Sequence, residues 1–370
     1  MNTAAKILLT AIKKKLEGKP CDPQSLPQAL SLAKKHSVLN LVAEDALKAE
    51  IPDALRAKLL SYCAEYLRQQ ETLDYAGKLV FDKLEELKIP YMPLKGYYMK
   101  KLYPAPLMRS CCDLDVWFDP SREKEVKAAL GELGFTMKNA GENHMFHTYG
   151  AASLEMHYSL GKIPACPDYY ADVFSRLVHV GGSLYNFTDE DFYVFLIAHL
   201  YKHFKSGGTG IRSVLDIYVY NEKKPDLDRD YLAGEFAALG LVSFEEKLRA
   251  LAYRWFGGEE ISDEPDPLAD YVLGSGVYGT VQNATVNGAA KHGKGGYFLR
   301  RAFPDVSTMK KMFPVLRRCM LFLPFCYFWR LLKAAFTKPK AVKSSLTSFK
   351  GADEAAIAKA HELFGELGIE

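Results

Sequence analysis

No CxxC pair occurs among Cys21, Cys63, Cys111, Cys112, Cys166, Cys319 and Cys326, and no Cys/His spacing for zinc is present. The odd number and apolar settings of these residues argue against a disulfide framework and for reduced thiols in a cytoplasmic protein. Long apolar runs are also missing. CMLFLPFCYFW, at 319–329, has eleven uncharged residues, whereas a bilayer span needs about 20. The first stretch, MNTAAKILLTAIKKKLEGK, has too short an apolar run for a signal peptide and no cleavage pattern, so it reads as an amphipathic helix. No GxGxxG opens a helix after a strand. The Gly/Asn-rich patch at 273–296 is therefore expected as a surface loop or substrate lid, not a dinucleotide site. His199 and His203 lie four apart on one predicted helix but lack the Glu of HExxH, which leaves zinc chemistry without its base.

What is present is ordinary in bulk and uneven in detail. The 370 residues are 48% hydrophobic and 25% charged, the composition of a soluble globular chain long enough for two or three domains. The net charge of +3 hides an asymmetry. Residues 291–350 contain fourteen Lys/Arg and one acid, Asp305, a net of +13, so the remainder carries −10.

Residues 1–88 read as helical, with a long helix beginning near Asp53 and carrying Leu55, Leu59, Tyr62 and Tyr66 on one face. Residues 89–94 read as a strand broken by Lys95-Gly96. Ser121 is expected to cap a helix ending at Gly134, followed by strands at 135–138 and 144–149 around a hairpin turn. Thr188-Asp-Glu-Asp191 is a capped start for another helix, and Arg212 and Asp216, four apart on the next, are expected to pair. Helices continue through 232–241 and 244–256. Four regions result: 1–88 helical, 89–187 a catalytic-type core, 188–290 helical and closing a cleft, and 291–370 basic, aromatic-rich and helical.

The chemistry concentrates in CCDLDVWF. Val116, Trp117 and Phe118 favour a strand, so Asp113 and Asp115 project from one face, where two carboxylates repel unless a cation separates them. A hard divalent ion such as Mg²⁺ suits that pair. Upstream, the strand, the Lys95-Gly96 turn and a helix start form a layout that faces an anion. Arg109 and Ser110 are placed to reach the same phosphates. Downstream, the alternating stretch 152–158 puts Ser153, Glu155 and His157 on one face, making Glu155 a candidate third carboxylate. Three acids beside a cationic turn point to metal-assisted phosphoryl transfer. His144 and His147 read as strand residues outside the site.

LKG at 94–96, YP at 103–104, RSCCDLDVWF from Arg109 and LEMHYSL from Leu154 resemble the uncharacterised nucleotidyltransferase family of the polymerase-β-like superfamily. The resemblance is strongest over 89–160 and extends loosely through His199–His203 and Gly210–Asp216. It implies an α+β fold: a small mixed sheet with flanking helices, embedded in largely helical N- and C-terminal regions. It also implies Mg²⁺ and a nucleoside triphosphate such as ATP at Asp113, Asp115 and Glu155. Lys95 and Gly96 take the phosphate-turn positions, and Arg109, Ser110, His203, Arg212 and Asp216 border the nucleotide. Tyr97 stands where the superfamily's turn usually has a second small residue, Cys112 stands where members often have Gly, and the gap from Gly96 to Asp113 is longer than usual.

The expected activity is transfer of an NMP from an NTP to an acceptor hydroxyl, with the acceptor open among small molecules, RNA and protein. The alternative is a decayed nucleotide binder whose basic C-terminal region recruits RNA or anionic membrane. For 319–329 the sequence favours a Pro-broken pair of buried helical segments, over an interfacial helix making peripheral membrane contact or an RNA-binding face.

Overall fold

Alternation along one buried strand explains how the sheet is built. In β2 (Leu114–Phe118), Leu114, Val116 and Phe118 face one side and enter a common core, while Asp115 and Trp117 face the other. β5 (Ala152–His157) repeats the pattern, with Ala152, Leu154 and Met156 in that core and Ser153, Glu155 and His157 opposite. The core side is closed by two helices. Asp53–Glu86 contributes Leu73, Ala76, Val80 and Leu84, at helical steps of three and four, and Glu123–Glu132 contributes Val126 and Leu130.

The computed structural model describes every residue except 259, 260, 262, 263, 278, 338 and 370 and the side chain of 341. The architecture is α+β. One seven-stranded mixed sheet runs β3-β4-β5-β2-β1-β7-β6, where β1 is Tyr91–Pro93, β3 Thr136–Ala140, β4 His144–Tyr149, β6 Leu177–Gly181 and β7 Leu184–Phe187. β2 runs antiparallel to β1 and parallel to β5, and the β3–β4–β5 meander completes that edge. The chain forms two compact units, Met1–Leu200 with Ile211–Pro265, and Tyr201–Gly210 with Asp266–Glu370.

Local signals were obeyed unevenly. The Thr188 box forms: its hydroxyl accepts from the Asp191 N–H at 3.0 Å and donates to the Asp191 carboxylate at 3.2 Å. Ser121 is not the helix cap. Asp119 caps a short 3₁₀ turn, Pro120–Arg122, by accepting from the Ser121 N–H, and the α-helix starts only at Glu123. An aspartate just before a proline at the first helical position outcompetes the serine that follows.

The patch at 273–296, expected as a loop or lid, is largely helical. Pro267–Ser275 runs into it, and Val281–His292 is a helix capped by Thr280, whose hydroxyl accepts from the Asn283 N–H at 2.9 Å. The apolar periodicity was missing because this helix buries Thr285 and Asn287. Thr285 donates to the Val281 carbonyl at 2.8 Å, and the Asn287 amide donates to the Tyr271 hydroxyl at 2.7 Å.

The buried reading of 319–329 is overturned as well. The proline break exists, as a 3₁₀ turn Met320–Phe322 followed by helix Leu323–Thr337. Yet Cys326 alone of that run is fully buried, against Met309 and Leu316, while Phe325 and Phe328 are each 62% exposed. The small cluster has room for one side of the helix.

Leu154 is 1% exposed beneath the carboxylate-bearing face. Leu154→Ala should cost about 2–5 kcal/mol of stability, as buried large-to-small changes do. Urea unfolding followed by circular dichroism measures it, and a loss below about 1 kcal/mol would contradict this placement of the core.

Candidate active site

The face of the sheet opposite that core gathers the charged residues. Asp115 and Glu155 stand opposite each other in the parallel β2–β5 register, and Trp117 stands opposite His157. In the antiparallel β4–β5 register His144 lies across from His157. A strand from the hairpin therefore brings a second imidazole to the Glu155 end.

Asp115 is the centre of this group. Its Oδ1 takes the Lys95 ammonium at 2.7 Å and His157 Nε2 at 2.8 Å. His157 Nε2 is also 3.3 Å from Glu155 Oε2, and His144 Nε2 is 3.8 Å from the same oxygen. His144, Glu155 and His157 form a cluster whose donor atoms lie within 4.8 Å of one another. Asp113 sits just before β2, and its carboxylate makes no hydrogen bond or ion pair with the described residues.

The charges answer one another. Burial alone would raise the Asp115 carboxyl, but Lys95 and His157 together hold it well below the usual carboxylate range. Burial disfavours the charged Lys95 and His157, yet Asp115 outweighs it for both, with Glu155 helping, and both are raised. Asp113 goes the other way. Burial and then repulsion from Asp115 push it from 3.8 up to about 6, with Lys95 and Arg212 opposing the rise and Glu155 adding to it. This face therefore carries more carboxylate charge than Lys95 balances.

The Lys95-Gly96 turn has a geometry that its sequence did not show. Lys95 has φ +42°, a left-handed backbone that points its side chain back at Asp115, and the helix that follows, Lys95–Met99, is a single turn. Gly96 is needed for packing: a Cβ there would collide with the Arg109 guanidinium and lie 3.0 Å from Cys111 Sγ. Tyr97, out of place in a phosphate turn, packs edge-on against Phe81 of the long helix at 5.2 Å between ring centroids.

Arg109 and Asp216 are joined to each other. The guanidinium donates to the Asp216 carboxylate at 3.2 and 2.8 Å, and the buried Tyr103 hydroxyl donates to the same group at 2.7 Å. The expected Arg212–Asp216 pair gives way to this fork because Arg109 presents two parallel donors across the fold. Arg212 instead reaches the Ser110 carbonyl and hydroxyl, each at 3.4 Å, and Ser110 donates to the Ser37 carbonyl at 2.9 Å. The structure thus groups Lys95, Asp113, Asp115 and Glu155, and it assembles Gly96, Arg109, Ser110, Arg212 and Asp216 into the adjoining wall. His203 belongs to the second compact unit. The sequence reading left His144 outside the site, put His157 on the Glu155 face without making it a site residue, and gave Tyr103 no part there, yet all three contact carboxylates of this group or its wall. The shared face of Glu155 and His157 was a usable signal for one of them; the other two depend on long-range register.

A mixed sheet carrying carboxylates on adjacent strands, with more negative charge than the neighbouring lysine offsets, is an arrangement able to hold a metal and a phosphorylated substrate. A family model described as uncharacterised nucleotidyltransferase matches residues 22–257, more than half of the chain, and the chain belongs to that family. A comparison with curated proteins gives no match. Among solved structures, a solution structure of the antibiotic-resistance factor ANT(2'')-Ia is 15% identical, covering 47% of this chain and 87% of that one with a TM-score of 0.25. A crystal structure of ANT(2'')-Ia in complex with adenylyl-2''-tobramycin is 13% identical, covering 49% and 95%, also with a TM-score of 0.25. A TM-score that low carries no argument about this chain.

Two variants separate the wall from the carboxylates. Asp216→Asn leaves the buried Arg109 charge uncompensated and should cost about 3–5 kcal/mol, whereas replacing both partners by apolar residues should cost less; chemical denaturation of the three proteins tests this. Asp113→Asn should do the reverse. A carboxyl whose folded pKa is about 6 and whose unfolded value is 3.8 binds more protons when folded, so its ionisation destabilises the metal-free protein as pH rises from about 4 to 6. Removing it should therefore stabilise at pH 7–8, by at most about 3 kcal/mol at roughly 1.4 kcal/mol per pKa unit, and change little at pH 3.5. Melting curves across pH that show destabilisation at pH 8 would refute the assignment.

Proposed function

We propose that this protein is a Mg²⁺-dependent nucleotidyltransferase that moves an NMP from an NTP to an acceptor hydroxyl, using Asp113, Asp115 and Glu155 as metal carboxylates. In this reading residues 89–187 form a polymerase-β-like core. The supporting observation is the unbalanced charge of this face: Asp115 and Glu155 stand opposite each other on adjacent strands, and Asp113, just before β2, is pushed up to about 6 by burial and by repulsion from both. Their oxygen donors suit a hard cation. The imidazoles at the Glu155 end would also accept Mn²⁺. When bound, the ion would offset charge on the triphosphate and on the oxygens of the attacked phosphorus.

The chain's own groups divide the remaining work. Lys95, beside Asp115, supplies the cation nearest the carboxylates, and Arg212, whose charge reaches Asp113, supplies a second for the triphosphate. His157 bonds both Asp115 and Glu155 and fixes their carboxylates in one orientation. Glu155 would take the proton of the acceptor hydroxyl as its oxygen attacks the α-phosphorus and pyrophosphate leaves. Arg109 and Asp216 bind each other, and their contribution is to hold the strand entry that positions Asp113. Catalysis then rests on positioning and electrostatics.

Incubation with each α-labelled NTP, Mg²⁺ and cell lysate, followed by separation of small molecules, RNA and protein, would identify base and acceptor together. Asp113→Asn should lower Mg²⁺-dependent NTP affinity at least tenfold at pH 7.5 by calorimetry. This variant is expected to be more stable than the parent, so the loss would not reflect unfolding. Equal affinity in variant and parent would refute the proposed metal site.

A further inference from the structure

Helix Leu323–Thr337 in the second unit has two unlike sides. Its inner side is fastened: Cys326 is buried with Met309 and Leu316, and Leu323 and Tyr327 pack against that cluster. The Tyr327 hydroxyl donates to the Pro304 carbonyl at 2.5 Å, and Arg330 donates to the carbonyls of Ala302 and Arg301 at 3.0 and 3.1 Å. Its outer side carries Phe325, Phe328, Trp329, Leu332 and Phe336, at steps of three, one, three and four, the spacing of one helical stripe. These residues are 62%, 62%, 48%, 38% and 77% exposed, and Leu321, just before the helix, is 89% exposed. An amphipathic helix of a water-facing surface would show the opposite polarity on that side.

Charge selects among occupants. Arg317 and Arg318 precede the stripe and Lys333 lies within it, all exposed, in a segment of net charge +13 whose one acid is Asp305. A second copy of the chain would bring two such segments together and repel. An RNA strand would satisfy the cations but leave Leu321 and Leu332 in water, and Phe325 and Trp329 already stack on each other at 6.5 Å with planes 13° apart. No helix among the described residues is long and apolar enough to cross a membrane; fifteen residues rise only about 22 Å. We propose that this helix docks in the plane of an anionic lipid surface, its aromatic stripe entering the acyl boundary and the flanking arginines and lysines meeting lipid phosphates. The proposal concerns the second unit alone and stands independently of the nucleotidyl-transfer reading.

The test is flotation of the full chain with vesicles of phosphatidylcholine alone or with 30% phosphatidylglycerol, at low and high salt. Binding is expected with the anionic vesicles only, weakened severalfold by salt. Trp117 and Trp255 are each 2% exposed, so Trp329 should dominate a blue shift in tryptophan emission on binding. Phe325→Ser with Trp329→Ser should abolish flotation with the melting temperature unchanged, because both side chains are exposed. Arg317→Glu with Arg318→Glu should weaken it tenfold or more, and serves where the first variant fails to fold. Equal binding to neutral vesicles, no vesicle binding, or salt-sensitive binding to single-stranded RNA without vesicle binding would overturn the proposal, as would a dimer that the double serine variant dissociates.

Discussion

The buried fork between Arg109 and Asp216 is the constraint on which the site's geometry depends. It ties the segment entering β2 to helix Ile211–Lys223, and Tyr103 adds a third bond to the same carboxylate. Two largely desolvated charges are tolerable only with such complete pairing. The same segment is pinned elsewhere. Gln70 bonds both the carbonyl and the N–H of Cys111, and Asn40 and Tyr66 bond the Leu107 carbonyl. The unusually long stretch from Gly96 to Asp113 is thus a braced wall, and Asp113 emerges from it at a fixed place beside Asp115.

Gly96 and Tyr97 show how one architecture reuses a turn. A small residue after Lys95 leaves room for the Arg109 guanidinium, and the aromatic that follows fills a gap against the long helix. The left-handed backbone at Lys95 returns its ammonium to the carboxylates. Cation, wall and core are consequences of three consecutive residues.

Partners explain why opposite responses are expected from two acids. Asp216 is matched, and its loss strands an arginine; Asp113 is crowded, and its loss relieves repulsion. The difference lies in partners, since both are aspartates in largely desolvated surroundings.

Period-two alternation in β2 and β5 was legible in the sequence because each strand buries one face, and it put Asp115 and Glu155 on the face away from the core; Asp113 lies just before β2, outside the alternation. The capping box at Thr188 was legible for a similarly local reason. Other features lay beyond local signals. The helix Val281–His292 hid behind buried polar residues whose partners are supplied by the fold. The partner of Asp216 came from 107 positions away, and a spacing of four toward Arg212 could not compete with a two-pronged fork. The exposure of Phe325 and Trp329 was undecidable from an apolar run, because composition says that a side chain is apolar and only packing says whether anything covers it. Sequence alone determined which residues share a strand face; the tertiary structure decided which charges meet, since register and long-range pairing are set by the whole chain.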